Sequence, residues 1–385
     1  MKRKKMKETL IKWVWQHGSY PNFPYDKSQV LELISQIEYH RGVLHGISQV
    51  INKKDKKNLE IDILLNEAVN TSEIEGEYLQ RDSVRASLYK KLDNQYNDLR
   101  DNSTHQTDAL VDVLIDCNKN RAPLTLERLH GWHNSLFIAG YSGLNKIKVA
   151  SFRDHDDMAV VSGSIGREKV HYVAPPHTLL EDDVKTLLQW LETSDEDIYI
   201  KSALGHLWFV SIHPYDDGNG RIARAIADYI LSEDTQQETG FKLFSLSMAI
   251  NKNKKEYYEV LDKTTNLIIN RTYDFTLWIK WHLEMIKEAM RATQKQVEYL
   301  VQKTKFWDRH RANDLNERQI KVLDRILDMG SENFEEGLKT KKYQAMTKTS
   351  TPTAARDIKE LLEKGCIEHI EGTKGRNTSY RIKLT

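Results

Sequence analysis

Twelve consecutive residues, His213-Pro214-Tyr215-Asp216-Asp217-Gly218-Asn219-Gly220-Arg221-Ile222-Ala223-Arg224, gather the side chains that a phosphate-handling site needs. His213, with an ordinary pKa of about 6.5, is suited to take a proton from an attacking hydroxyl near neutral pH. The Gly-Asn-Gly turn lets backbone N–H groups converge on an anion, and a helix opening just after it adds the positive end of its dipole. Arg221 and Arg224, three residues apart, share one helix face and can hold successive phosphates. Asp216 or Asp217 can carry Mg2+, which takes one or two carboxylates together with phosphate oxygens and water. A lone His or a lone Gly-x-Gly reads as a satisfied core histidine or an ordinary turn. The joint pattern reads as a nucleotide site with a base beside it.

Other chemistry-bearing residues are more ambiguous in isolation. Thr71-Ser72-Glu73-Ile74-Glu75-Gly76 reads by itself as a solvated acidic helix face. Tyr257 and Tyr258 read individually as core aromatics, and His206 as buried structure. His130 and His133 are spaced as a metal pair could be, but with no acidic third ligand nearby they read as core and surface histidines. Near the C-terminus Arg356, Lys359, Lys374 and Arg376 could meet phosphates, while Asp357, Glu360, Glu363, Glu368 and Glu371 dilute that charge.

The elements that must position these residues are mainly helical. Only 7 prolines and 18 glycines punctuate 385 residues, and apolar residues recur at helical spacing over 27–51 (with a break offered at Gly42), 59–69, 106–118, 125–139, 179–191, 198–212 and 222–231. Further helices are expected around Tyr257 and Trp278, and the run 52–57 reads as a solvated turn. An aromatic, turn-rich lead (13–26) needs a surface to cover. One β-hairpin is expected, from the β-rich runs 160–166 and 169–173. The last unit reads as helix (317–329), polar turn (347–350), helix (352–364) and two strands (366–370 and 379–383), the winged-helix order.

Composition limits the function classes. With 57 Lys+Arg against 56 Asp+Glu the formal net charge is +1, so any basic patch is local. Cys117 and Cys366 form no CxxC, which excludes a cysteine zinc cluster and a disulfide-dense scaffold. No apolar run is long enough to span a membrane, and the basic start lacks a signal-like core, so no membrane partner and a cytoplasmic location are expected.

At residues 213–224 the sequence resembles the Fic family, whose motif HxFx(D/E)GNGRxxR is matched at every position except that Tyr215 replaces Phe. The resemblance implies a mainly α fold: a Fic-type helical core with a β-hairpin flap (148–176), an N-terminal helical domain and a C-terminal winged-helix domain. The implied division is 1–104, a core at 105–290, a linker helix at 291–314 and a winged-helix-like unit at 315–385. It implies His213 as general base, Asp217 holding Mg2+, Gly218, Asn219 and Gly220 binding the α- and β-phosphates, Arg221 the β-phosphate and Arg224 the γ-phosphate of ATP. Tyr257 and Tyr258 resemble the tyrosines placed near adenine, with Thr265 or Asn266 in the position of a following Asn. Residues 71–76 match the family's inhibitory pattern (S/T)xxxE(G/N), which implies that Glu75 competes with ATP for Arg224. The activity implied is transfer of AMP to Ser, Thr or Tyr hydroxyls of a target protein, with self-modification, a homodimer and DNA contact through 315–385 as further expectations. Removal of AMP, both directions in one enzyme, or a winged-helix regulator with a nucleotide-sensing core are the alternatives.

Overall fold

The computed structural model describes residues 11–92, 102–162, 167, 169–235, 242–329, 337–373 and 375–384. Fourteen α-helices and three two-stranded antiparallel pairs are present among them, a mainly α architecture as expected. In chain order the helices are α1 (Leu31–Val50), α2 (Lys53–Ile74), α3 (Arg81–Leu92), α4 (His105–Lys119), α5 (Leu126–Leu136), α6 (Leu180–Thr193), α7 (Ile198–Ile212), α8 (Asn219–Thr235), α9 (Leu246–Lys252), α10 (Lys254–Thr265), α11 (Thr276–Arg309), α12 (Glu317–Met329), α13 (Thr340–Thr347) and α14 (Thr351–Glu363). The strands are β1 (Tyr141–Ser142), β2 (Asn145–Lys146), β3 (Ala159–Ser162), β4 (Lys169–Val173), β5 (Ile367–His369) and β6 (Tyr380–Ile382). The chain forms two compact units, Met1–Gln294 and Lys295–Thr385. No helix among the described residues is long and apolar enough to cross a membrane.

The first unit is organised around α7, which is buried on nearly every side, and α8 packs along it. Asp197 caps the start of α7 by accepting from Tyr199 N–H at 2.9 Å and Ile200 N–H at 3.3 Å. At its other end the chain leaves through His213 in the left-handed conformation, φ 51° and ψ 57°, with Pro214 preventing continuation. α2 packs on α3 and α9 and ends at Ile74, which brings Glu75 and Glu77 to the N-terminal end of α8. The aromatic lead covers the base of β4: Trp15 Nε1–H donates to Val173 O at 2.8 Å, and Trp13 meets Tyr172 edge-on at 5.4 Å.

Several local readings are corrected. α1 runs unbroken through Gly42, and the charged run 52–57 opens α2 instead of forming a turn, because Asn52 Oδ1 accepts from Asp55 N–H at 2.9 Å. A second, minimal hairpin, β1–β2, turns through Gly143 (φ 56°) where the expectation was a single one. The expected hairpin forms as β3–β4, paired Val160↔Tyr172 and Ser162↔Lys169 with a register shift between Val160 and Val161. Its turn, 163–166, lies outside the described residues. One helix, α11, runs from Thr276 to Arg309 across the position where a separate linker helix is expected to start at 291.

In the second unit α12, α13 and α14 enclose a core of Val322, Leu323, Ile326, Tyr343, Ile358 and Leu361, closed by β5 and β6. Leu338 adds a bridge to Tyr380. α13 is an extra helix that lies before the expected polar turn and ends on its first residue, Thr347. Asp357 does not dilute surface charge as the sequence reading has it. It is buried, paired to Arg318 at 2.9 Å and accepting from Tyr343 Oη–H at 2.9 Å. Lys374 and the side chain of Arg376 lie outside the described residues.

Candidate active site

The loop between α7 and α8 is closed by its own residues. Asn219, buried at the first position of α8, accepts from Tyr215 N–H at 2.9 Å and donates to Tyr215 O at 2.8 Å, so one carboxamide ties both ends of the turn. Its side chain thus shapes the loop. Gly218 has φ 81°, and a Cβ there would stand 2.7 Å from Phe137 Cε2, so only glycine fits. The Tyr215 ring is fully buried, stacked on His133 with centroids 4.0 Å apart, and its hydroxyl meets His130 Nδ1 at 3.0 Å. The hydroxyl that distinguishes Tyr215 from Phe therefore has its partner.

His133 is a positioning residue that sequence reasoning missed. Ala150 N–H donates to its Nδ1 at 3.1 Å, which fixes the tautomer and leaves Nε2–H to donate to Asp217 O at 3.2 Å. Burial holds its pKa down to about 4, so the ring stays neutral and keeps both bonds at neutral pH. No sequence signal finds this role, because Ala150 and Asp217 are remote from His133 in sequence.

His213 follows the last residue of α7, and its backbone N–H still donates to Phe209 O at 3.0 Å. Its Nδ1 lies 3.2 Å from Val210 O; with the proton there, Nε2 carries the lone pair. Burial is the main reason its pKa falls to about 4, partly opposed by the Val210 carbonyl bond. The ring is neutral at pH 7. Arg153, itself buried, ties this corner to the hairpin: its Nε–H donates to His213 O at 3.1 Å and its Nη2–H to Pro175 O at 2.5 Å.

Two acids flank the turn differently. Asp216 accepts from Lys148 N–H at 2.8 Å and meets His155 Nε2 at 3.2 Å, so its carboxylate is engaged by the segment 148–155. Asp217 accepts from Gly218 N–H at 2.5 Å and from the Ser142 hydroxyl, which is the contribution of the β1–β2 turn.

Both arginines of α8 are buried and both meet carboxylates from the end of α2. Arg224, 1% exposed, donates from Nε to Thr71 Oγ1 at 2.8 Å, and from Nη2 to Thr71 O at 3.0 Å and Glu75 Oε1 at 2.7 Å. The Glu75 carboxylate lies against Gly220, where a Cβ would collide with Oε1. Arg221 pairs with Glu77 at 3.0 Å and stacks over the Phe137 ring at 4.7 Å. Arg224 Nη1 and Arg221 Nε remain buried without a hydrogen-bond partner. The segment that carries Glu75 is gripped from the other side. Tyr258 Oη–H donates to Ile74 O at 3.1 Å, Lys254 Nζ to Glu73 O at 3.0 Å, and Asn251 Nδ2 to Glu73 Oε2 at 2.7 Å.

A cleft of about 580 Å³ opens beside these groups, within the usual range for small-molecule sites. Glu75, His213 and Gly220 line it, α10 supplies Tyr257, Tyr258 and Thr265, and β3–β4 supplies Val160, Lys169 and His171. Tyr257 is buried with its hydroxyl 3.0 Å from His206 Nε2, while Tyr258 is 42% exposed. Of the two candidates after the tyrosines, Thr265 lines the cleft, whereas Asn266 caps α10 and bridges to Trp13.

Residues 123–231 match the family described as Fic/DOC, and residues 13–93 match one described as a domain of unknown function (DUF4172). A 65-residue stretch is 40% identical to the uridine 5'-monophosphate transferase of Xanthomonas campestris pv. campestris (strain 8004), covering 15% of this chain and 12% of that protein. A 69-residue stretch is 33% identical to a protein of Aquifex aeolicus (strain VF5) named "Probable protein adenylyltransferase", covering 18% of this chain and 22% of that one. The matches thus span less than a quarter of each of those relatives. The crystal structure of a Fic family protein from Desulfovibrio desulfuricans G20 aligns with 94% of this chain and 98% of its own, at 18% identity and a TM-score of 0.54, a likeness of fold. The segment that matches the Fic/DOC family, residues 123–231, contains the whole His213–Arg224 loop.

Proposed function

We propose that the protein transfers AMP from ATP to a hydroxyl group of a protein, and that Glu75 restrains the transfer. The observation that carries this reading is the pair of buried arginines at the start of α8, each with an unpartnered N–H, set directly behind Gly220 and Glu75, which line the cleft together with a neutral His213. A buried cation with an unused donor calls for an anion, and two of them on one helix face suit successive phosphates. The positive end of α8 adds to the same field.

In this reading the triphosphate lies along the turn, with Gly218, Asn219 and Gly220 contributing the loop and its backbone, Arg221 meeting the β-phosphate and Arg224 the γ-phosphate. The base occupies the part of the cleft lined by Tyr257 and Tyr258. A target hydroxyl, aligned by the β3–β4 flap, attacks the α-phosphorus. Its proton passes to His213 Nε2, the bond from the α-phosphorus to the bridging oxygen breaks, and pyrophosphate leaves. AMP remains on the target oxygen. Most of the acceleration comes from alignment and charge neutralisation, as in other phosphoryl-type transfers.

Asp217 fits Mg2+ as a single hard oxygen ligand: each of its carboxylate oxygens accepts one protein donor and keeps a lone pair, and the ion usually draws its other ligands from phosphate and water. Bound there, it would neutralise charge on the phosphates. Glu75 holds Arg224 away from a γ-phosphate, so ATP binds in a pose unsuited to attack. Residues 1–104 then act as the restraining part, 105–290 as the catalytic core and 315–385 as an appended winged-helix-like unit.

The test is protein-bound label after incubation with Mg2+ and ATP labelled at the α- or the γ-phosphate, with α-labelled UTP alongside, on the protein itself and in a cell extract. Label from α-ATP alone, absent in His213→Ala, is the expected result. Label from the γ position would make the protein a kinase, and label from UTP in preference to ATP would change the transferred group.

A further inference from the structure

The end of α2 brings two carboxylates to α8, and the inhibitory pattern assigns only one of them. Glu77 stands outside that pattern, yet its Oε2 lies 3.0 Å from Arg221 Nη1, as closely engaged as Glu75 with Arg224. The local backbone makes this possible. The chain turns through Gly76 at φ 83°, and Glu77 N–H donates to Ser72 O at 2.9 Å, so the chain folds back over the last turn of α2 and both acids reach the arginines. Arg221 is poorly placed to escape this contact, since its side chain is 6% exposed and its guanidinium is pinned over Phe137.

We propose that the restraint is a double latch in which Glu77 occupies Arg221 while Glu75 occupies Arg224, so that two neighbouring phosphate subsites are blocked by two acids on one turn. The proposal rests on the reading that Arg221 meets the β-phosphate and Arg224 the γ-phosphate. The two acids then leave different signatures. An acid on Arg221 opposes every nucleotide with a β-phosphate, so its removal strengthens ADP and ATP alike. An acid on Arg224 opposes only a γ-phosphate, so its removal strengthens ATP over ADP. The Glu77 side chain is 38% exposed, and an ion pair with one partner buried and the other partly in water changes affinity by about three- to tenfold. Releasing both acids together gives the most active form, because neither subsite is then contested.

Titration calorimetry of the whole chain with Mg2+-ADP and Mg2+-ATP tests this in wild type, Glu77→Gln, Glu77→Ala and Glu75→Gln. Both Glu77 variants are expected to bind ADP and ATP more tightly by a similar factor, and Glu75→Gln to bind ATP more tightly with little change for ADP. Glu77 variants that bind both nucleotides as the wild type does, or more weakly, beside a Glu75→Gln that gains ATP affinity, would overturn the double latch and leave the nucleotide site standing. Absence of nucleotide binding in all four proteins would overturn both.

Discussion

Glu75→Gln is expected to lower the stability of the nucleotide-free protein while raising its transfer activity. Arg224 is 1% exposed, and three hydrogen bonds satisfy part of its guanidinium, two to Thr71 and one to Glu75. Removing one partner of a buried pair outright costs about 3–5 kcal/mol, because the remaining charge is left uncompensated. Here the loss is smaller. The Glu75 side chain is 31% exposed, so water reaches the position, the glutamine keeps an acceptor oxygen, and both Thr71 bonds persist. About 1–2 kcal/mol remains, which for a chain of this size lowers the melting temperature by about 1–3 °C. Nucleotide offsets the difference. A tenfold gain in ATP affinity adds about 1.4 kcal/mol of stabilisation at a fixed excess of ligand, close to the amount lost. Thermal melts with and without Mg2+-ATP should therefore show the variant below wild type when empty and level with it when loaded. Equal melting temperatures in the empty proteins, followed by equal shifts with ATP, would refute the account of Arg224.

Three further outcomes follow from the same geometry. With the His213 pKa held near 4, below the ordinary imidazole value, the neutral ring persists as pH falls through 6.5 and is lost only near pH 4. Transfer by a Glu75→Gly variant, measured well below its melting temperature, should keep its neutral-pH rate to about pH 5; an acid limb centred near 6.5 would contradict the assignment. Gly218→Ala must place a methyl group 2.7 Å from Phe137 Cε2 at a φ of 81°, a strain of about 1–3 kcal/mol, and should abolish transfer with a measurable loss of melting temperature. Tyr215→Phe removes one buried hydroxyl from His130 but leaves the Asn219 bonds to the Tyr215 backbone, so it should cost about 1 kcal/mol of stability in a denaturant melt and retain transfer.

What was legible in the sequence is what local spacing encodes. The run from His213 to Arg224 is contiguous because a helix end, a turn and a helix start must follow one another, and the fold uses them in that order. Glu75 was readable from its short motif, and the buried Arg224 is its partner. Contacts between distant segments left no such trace. His133 became a loop anchor only through Ala150 and Asp217, and Asp357 turned inward only because Arg318 and Tyr343 meet it. Glu77 was hidden for the same reason, since one acid among several on a charged stretch acquires meaning only when Arg221 lies opposite. Element boundaries failed where polar residues carry helix: Asn52 caps a start that its lysine-rich neighbours disguise, and α13 offers only Tyr343 as a buried residue to mark its inward face.

The most direct test of the central claim is a single-turnover comparison of Glu75→Gly with the double variant Glu75→Gly, His213→Ala, both given α-labelled ATP, Mg2+ and an acceptor-containing extract. The account expects rapid protein labelling by the first and none by the second, with both binding ATP equally in a parallel titration. Labelling at the same rate in the two proteins would contradict it, because the proton of the attacking hydroxyl would then leave without His213.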